Sequence, residues 1–130
     1  MKLLDENKEY NTKGKLLVFL TFVGLSGLPW WLTNYQVYSN NIIISIGSII
    51  ILAILAAYFR FKTNHNFWEI VFVALSAHQV ALILKFVKDS FEDPTNHNLA
   101  PFEMLFILFI DFITCLIFIS VGNYLVRKKY

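Results

Sequence analysis

The chain of 130 residues is poor in charged side chains and has a single cysteine. Charged residues make up 15% of the sequence, whereas a water-soluble domain carries roughly 25% because its surface must be wetted. One cysteine, Cys115, cannot form an intrachain disulfide. The net charge of +2 is too small to indicate a polyanionic partner. These scarcities exclude a disulfide-stapled domain and a nucleic-acid-binding protein.

Motifs of known chemistry are also missing. The five glycines form no glycine-rich phosphate loop, and the chain has neither a nucleophile elbow nor a zinc-protease helix. Its histidines, His65, His78 and His97, are predicted at three different depths, so they cannot converge on one metal ion in a monomer. The sequence therefore indicates no metal site and identifies no cofactor, and it favours a protein that is not an enzyme.

Apolar side chains are abundant instead. Hydrophobic residues make up 57% of the chain and aromatic residues 17%, with a mean hydropathy of +0.57. Four apolar runs, at about 16–32, 42–59, 67–87 and 102–126, approach the roughly 20 helical residues that cross a bilayer. The runs are continuous rather than alternating, which favours helices over barrel strands. The sequence predicts an all-α four-helix transmembrane bundle, running up-down-up-down with short loops.

The charges predict how this bundle is oriented. Residues 1–15 form a polar tail, residues 16–126 the transmembrane domain, and residues 127–130 a basic tail. Most Lys and Arg residues lie in the two tails and in the second linker, while the first linker has none. Because cytoplasmic segments carry the excess of Lys and Arg, both termini are predicted to be cytoplasmic. The first span is interpreted as an uncleaved helix rather than a signal peptide.

Ionisable residues at membrane depth are confined to the third and fourth spans. A charged group in lipid costs about 2.5 to 3.5 kcal/mol even on the lenient insertion scale, so these side chains are expected to face protein or water. The candidates for binding a proton or an ion are His78, Asp111, Lys85 and Glu103. Secondary polar candidates in the same two spans are Gln79, Glu69, Thr114 and Asn123.

A simple register brings the main candidates together. If the third and fourth spans are antiparallel, residues at equal depth have numbers with a nearly constant sum. One register then pairs His78 with Asp111 at the bilayer midplane and Lys85 with Glu103 near the outer edge. A buried His–Asp pair is a plausible proton carrier, because each group changes the proton affinity of the other. Two alternatives remain: the pair only locks helix packing, or Lys85 extends to the headgroups.

The loop before the fourth span concentrates further polar groups. Asp93 and His97 are candidate ligands above the bundle, although their spacing matches no metal motif. Helix capping is the competing explanation for the acidic residues nearby. Asn66 with Glu69 resembles a capping box, and Glu103 is predicted to cap the fourth span.

Three classes of function fit these patterns. The leading hypothesis is a proton- or ion-coupled transport protein or channel, with the His–Asp pair as its titratable centre and Lys85–Glu103 as an outer gate. The second is a non-catalytic accessory or assembly subunit. The third is a membrane-embedded enzyme or cofactor-binding protein with its site under the 93–103 loop. Because one short chain encloses little volume, the expected partners are the lipid bilayer and either further copies of the chain or a larger membrane complex.

Overall fold

The computed structural model describes residues 12–62 and 66–129. In this part of the chain it contains five helices and no strand. The helices are α1 (Thr12–Trp31), α2 (Tyr35–Asn40), α3 (Ile42–Lys62), α4 (Phe67–Glu92) and α5 (Ala100–Lys129). Most of the predicted N-terminal tail, together with His65 and Tyr130, lies outside the described residues.

Four of the helices are long and apolar enough to cross a membrane. Their candidate spans are Gly14–Trp31, Ile42–Arg60, Phe67–Glu92 and Ala100–Leu125. The predicted all-α four-helix transmembrane bundle is therefore confirmed, and the chain has the architecture of a multi-pass membrane protein.

The helix bounds differ from the prediction at the end of the bundle that carries the α4–α5 loop, residues 93–99. Below, this end is called the loop end. Helix α4 continues to Glu92, five residues beyond the predicted end at Val87, because Lys85 and Asp89 pair along the helix at i,i+4 spacing. The first linker was predicted as a loop but contains α2. Asn34 caps this short helix by accepting a hydrogen bond from the backbone N–H of Val37 at 2.9 Å.

The core of the bundle depends on small side chains. Helix α1 packs against α3 and α4, and α5 packs against the same two helices. Alanines are fully buried on the two helices that both α1 and α5 contact: Ala53 and Ala56 on α3, and Ala74, Ala77 and Ala81 on α4. Small residues let helix backbones approach closely, which is the main source of packing energy in lipid.

Polar and apolar side chains are distributed as a bilayer requires. Large apolar side chains cover the outside of the helices, for example Phe102, Phe106 and Phe109 on α5. Several polar side chains are instead buried inside: Ser26, Ser48, His78, Lys85, Asp89, His97 and Asp111. Because charged and polar groups in lipid are costly, this arrangement shields them with protein and concentrates them at two levels of the bundle.

Candidate functional site

The buried polar residues form two separate networks. The central network consists of Ser26 on α1, Ser48 on α3, His78 on α4 and Asp111 on α5. The loop network consists of Tyr38 on α2, Lys85 and Asp89 on α4, His97 in the α4–α5 loop, and Glu103 on α5. His78 and Lys85 are seven positions apart on α4, which corresponds to about 10 Å along the helix axis. The fully buried, apolar Ala81 and Leu82 lie between the two levels.

His78 and Asp111 form the centre of the first network. The imidazole Nδ1 lies 2.5 Å from the carboxylate Oδ2, and both side chains are completely inaccessible to solvent. The predicted contact between these two residues is confirmed. A nitrogen and an oxygen so close together share a hydrogen, because two lone pairs at this distance would repel each other. Whether the pair exchanges that hydrogen for transport is a separate prediction.

Two further helices complete the surroundings of His78. The imidazole Nε2 lies 2.7 Å from the hydroxyl of Ser48 on α3, and the same hydroxyl donates to the backbone carbonyl of Ser26 on α1. The indole of Trp30 stacks on the imidazole with ring centres 4.4 Å apart and planes 13° apart. Its Nε1 donates to Ser45 on α3 at 3.1 Å. All four long helices therefore meet at this one side chain.

Asp111 has one oxygen that the rest of the network leaves open. Its Oδ1 is buried and has no hydrogen-bond partner, a condition that among the described residues is shared only by Nε of Arg60. A buried acceptor without a partner costs free energy. Asp111 therefore combines a tightly bound oxygen, directed at His78, with an oxygen available to a proton or another donor.

The loop network begins at Lys85. Its ammonium group is fully buried and donates to Oδ1 of Asp89 at 2.9 Å and to the backbone carbonyl of Thr33 at 2.6 Å. Lys88 donates to the same carbonyl at 3.1 Å. The expected direct pair between Lys85 and Glu103 is wrong, because Asp89 and His97 stand between them. Lys85 does not extend to the headgroups either, since the carboxylate one turn away holds it inside the bundle.

His97 joins the two acidic residues of the loop network. Its Nε2 lies 2.5 Å from Oδ2 of Asp89, and its Nδ1 lies 3.0 Å from Oε2 of Glu103. The side chain was expected to be exposed above the bundle, but only 2% of it is accessible, because the aromatic rings of Tyr35, Tyr38 and Phe86 surround it. The backbone reaches this position with a left-handed φ of 58°.

This geometry does not suit a metal ion. The two carboxylates approach opposite nitrogens of the His97 ring, so the three groups do not converge on one point. Among residues 12–62 and 66–129, no three His, Cys, Asp or Glu side chains are placed to hold a metal. Asp93, the other candidate ligand of the loop, is exposed, and its carboxylate bonds to Thr95.

Glu103 connects the loop network to α2. Its Oε2 accepts a hydrogen bond from the hydroxyl of Tyr38 at 2.9 Å. The carboxylate is thus shared between Tyr38 and His97. Glu103 lies in the first turn of α5, as predicted, but its side chain bonds to these two residues and not to the backbone at the start of the helix. Leu99 occupies the cap position of α5, where its carbonyl accepts from the N–H of Glu103 at 3.0 Å. Burial and the neighbouring Glu103 carboxylate raise the pKa of Tyr38 well above its usual range.

Asp93 forms a local turn. Its Oδ1 accepts from the backbone N–H of Thr95 at 2.9 Å and from the Thr95 hydroxyl at 2.8 Å. These hydrogen bonds, the backbone one first, lower the pKa of the Asp93 carboxyl. The turn also ends α4, whose last cap residue is Asp93. Asp93 therefore shapes the loop at its surface.

The secondary candidates lie apart from both networks. Gln79 donates to the carbonyl of Met104 at 3.3 Å and so links α4 to α5. Thr114 donates to the carbonyl of Ile110 within its own helix at 2.8 Å. Glu69 pairs with the exposed Lys15 at 3.1 Å, and Asn123 is half-buried near the end of α5. The capping role predicted for Asn66 is confirmed by its contact with the N–H of Trp68 at 3.3 Å.

Several residues of the networks were not among the sequence candidates. The sequence did indicate Asp89, since it lies four residues after Lys85 and on the same helix face as His78. No sequence feature distinguishes the remaining four from ordinary interfacial aromatic residues or small packing residues: Tyr38, Trp30, Ser26 and Ser48. No protein-family model, no curated protein and no solved structure matches this chain, so the two networks are the features from which a function can be inferred.

Proposed function

We propose that this protein is a small membrane transport protein in which the His78–Asp111 pair binds and releases a proton. The observation that carries the proposal is the combination at Asp111. One carboxylate oxygen shares a hydrogen with His78 at 2.5 Å, while the other is buried and has no partner. The proton can move through the protein alone or coupled to another ion or solute.

The chemistry of the pair suits a proton carrier. The pair is neutral in total when Nε2 of His78 carries a hydrogen in addition to the one shared between Nδ1 and Oδ2, and a neutral pair is the state that a low-dielectric interior tolerates best. Gaining or losing one proton leaves a net charge at this point of the bundle. Because a buried net charge is costly, either change favours rearrangement that admits water or a counter-ion. Protonation is thereby linked to conformation.

The loop network has the arrangement of a gate. Lys85 and Asp89 on α4 are connected through His97 to Glu103 on α5 and, through Glu103, to Tyr38 on α2. The network therefore fastens the loop end of three helices to one another. The apolar Ala81 and Leu82 separate it from the central pair, so a proton coming from the loop end reaches His78 and Asp111 when this end of the bundle opens or is hydrated.

Orientation and assembly belong to the same proposal. The excess of Lys and Arg in the tails and in the second linker supports cytoplasmic termini. The small size of the chain supports assembly with further copies or with a larger membrane protein, since a single chain of 130 residues provides little room for a solute. Labelling of single cysteines placed in each loop of a Cys115→Ser variant tests the orientation, and native mass spectrometry tests the assembly.

Proton flux into proteoliposomes tests the function. The purified protein is reconstituted with a pH-sensitive dye inside the vesicles, and an imposed potential drives the movement of protons. We expect wild-type flux above that of empty vesicles and loss of this excess in Asp111→Asn. Asp93→Asn is the matched control, because it makes the same chemical change at an exposed residue, and its flux should equal that of wild type. No wild-type flux under any gradient would contradict the proposal.

A packing role within a larger complex is the second candidate. It is favoured by the loop network, in which each side chain has a hydrogen-bond or ion-pair partner and in which Lys85 and Asp89 are completely dry. On this alternative the protein copurifies with a larger membrane protein after mild solubilisation, and Asp111→Asn changes stability but no flux. A monodisperse bundle that conducts protons on its own would exclude it.

A further inference from the structure

We infer that Ser48 is a positioning residue that fixes the tautomer of His78, so that the His78–Asp111 pair exchanges protons through Oδ1 of Asp111 alone. The inference rests on the proposed function, because it names the atom at which that site gains and loses its proton. It also makes a statement about the resting protein that holds whether or not a proton is transported.

The hydrogen count at Ser48 comes first. The Ser48 hydroxyl is within hydrogen-bond distance of two groups, the carbonyl of Ser26 and Nε2 of His78. It has one hydrogen to donate. A carbonyl oxygen can only accept, so that hydrogen is directed to Ser26. The oxygen of Ser48 is then the acceptor for His78, and Nε2 of His78 must carry a hydrogen.

The tautomer of His78 follows from this count. With a hydrogen on Nε2, a neutral imidazole has its free lone pair on Nδ1, the nitrogen that faces Asp111. One further hydrogen therefore lies between Nδ1 and Oδ2 across 2.5 Å. It makes the pair either imidazolium with carboxylate or imidazole with carboxylic acid, and both descriptions contain the same number of protons.

The other atoms of the pair already have partners. The indole of Trp30 covers one face of the His78 ring, and Nε2 of His78 is engaged by the hydroxyl of Ser48. Among the described residues, Asp111 is the only titratable group in hydrogen-bond contact with His78. The nearest other ones on the packed helices are Cys115, one turn along α5, and Lys85, two turns along α4. The unpartnered Oδ1 of Asp111 is the remaining open atom.

The proton balance is simple. A proton that arrives at Oδ1 adds one positive charge and makes Asp111 a carboxylic acid beside an imidazolium. Its release from Oδ1 restores the neutral pair, with the hydrogen between Nδ1 and Oδ2 unchanged. Nε2 of His78 keeps its hydrogen throughout, since Ser48 provides an acceptor and no proton for it.

Nitrogen NMR of His78 tests the inference. The full-length protein is labelled with ¹⁵N-histidine and reconstituted in lipid, and the His78 signals are assigned by their loss in His78→Gln. We expect Nε2 to show the resonance of a protonated nitrogen, with one bonded hydrogen, at every pH at which the protein stays folded. A wild-type spectrum in which Nε2 is unprotonated would overturn the inference without any variant.

Two serine variants separate positioning from packing. Ser48→Ala removes the acceptor, so we expect a second tautomer, with the hydrogen on Nδ1, to appear. Ser48→Thr keeps a hydroxyl and should restore the single tautomer. Ser26→Ala is the matched control, because the Ser26 hydroxyl donates within its own helix to Phe22 at 2.5 Å and its carbonyl is unaffected. An unchanged tautomer in folded Ser48→Ala would contradict the role of Ser48.

The proposed function and this inference fail in different ways. A protein with the expected tautomer but no proton flux would retain the positioning role and lose the transport function. A protein that conducts protons while Nε2 titrates would retain transport and place the exchanging atom on the Ser48 side of the ring. Only the combination of flux and a permanently protonated Nε2 supports both.

Discussion

The imidazole of His78 and the carboxylate of Asp111 lie 2.5 Å apart between two adjacent helices, and neither side chain is accessible to solvent. The contact ties the middle of α4 to α5 at a level where the surrounding side chains are mainly apolar. Because the hydroxyl of Ser48 engages the other nitrogen of the ring, the imidazole also connects these helices to α3. A change at Asp111 is therefore expected to affect both stability and proton chemistry.

Two substitutions at Asp111 separate these effects. The amide of Asp111→Asn can donate to Nδ1 of a neutral imidazole, so we expect a loss of less than about 1 kcal/mol of unfolding free energy. Asp111→Ala leaves Nδ1 of His78 buried without a partner, and we expect a loss of about 1 to 3 kcal/mol. Unfolding in mixed detergent micelles, followed by tryptophan fluorescence, measures both. Equal losses would contradict the expectation that the amide of Asp111→Asn keeps the bond to Nδ1 of His78.

The ring of His97 holds the loop end together. His97→Ala leaves the carboxylates of Asp89 and Glu103 without the group that stands between them, and we expect a loss of about 3 to 5 kcal/mol, as for other broken buried pairs. Hydrogen exchange of the α4–α5 loop should increase at the same time. Asp93→Ala, which removes only the exposed turn contacts with Thr95, is the control and should cost less than about 1 kcal/mol.

The backbone at His97 makes a separate contribution. Its φ of 58° lies in the left-handed region. Glycine adopts this region without steric cost, whereas alanine adopts it only at a steric cost. His97→Gly should therefore be more stable than His97→Ala by about 1 kcal/mol, although both variants lack the ring. If His97→Gly proves no more stable than His97→Ala, the left-handed conformation is not kept when the ring is removed.

Tyr38 predicts how stability changes at alkaline pH. Its pKa is raised by burial and by the Glu103 carboxylate, so the folded protein keeps the phenol proton above about pH 10, where the unfolded chain loses it. Proton binding that is stronger in the folded state makes stability fall as the pH rises through this range. Tyr38→Phe should be less stable at neutral pH, by about 0.5 to 1.5 kcal/mol for the lost hydrogen bond.

Tyr38→Phe should also lose less unfolding free energy than wild type between pH 9 and 11, which is about one pH unit on either side of the ordinary tyrosine pKa. Unfolding curves of both proteins across this window provide the comparison. Parallel curves would mean that Tyr38 titrates in the folded state as it does in the unfolded chain.

The glycines of α1 allow a test of close packing. A Cβ at Gly27 would lie 2.5 Å from the indole of Trp31, whereas a Cβ at Gly24 would meet nothing within 4 Å. Alanine favours a helix over glycine by about 1 kcal/mol. Gly24→Ala should therefore stabilise the protein. Gly27→Ala should destabilise it, because the displaced indole loses its bond to the carbonyl of Ala81, 3.1 Å long in the native protein. Thermal unfolding of both variants tests this difference. Equal changes in unfolding temperature for the two variants would contradict the close contact between Gly27 and Trp31.

The bundle and its central His78–Asp111 contact could be predicted from the sequence because both follow from the apolar runs and their order along the chain. Four continuous apolar runs leave few arrangements other than helices across a bilayer. Two antiparallel helices with a short connection also fix which residues share a depth, and this register placed His78 beside Asp111. The rotation of α1 and α3 about their axes has no comparable signal, since Ser26 and Ser48 are small residues of a kind found throughout membrane helices.

The loop end was predicted less well because its structure depends on tertiary contacts. His97 is buried with a left-handed backbone conformation, and no feature of the neighbouring sequence predicts that conformation. The i,i+4 spacing of Lys85 and Asp89 was readable, but the bridging of Asp89 to Glu103 by one imidazole depends on the path of the loop. For the same reason, the sequence placed Glu103 in the first turn of its helix but did not predict its contacts with Tyr38 and His97.

The most direct measurement of the central claim is the infrared spectrum of the Asp111 carboxyl in lipid-reconstituted protein during a pH titration. The account predicts a carboxylic-acid band that changes with pH, shifts in heavy water and is absent from Asp111→Asn but present in Asp93→Asn. If wild type and Asp111→Asn give the same spectra throughout the pH range of the folded protein, Asp111 does not exchange a proton. The His78–Asp111 pair would then be a packing contact.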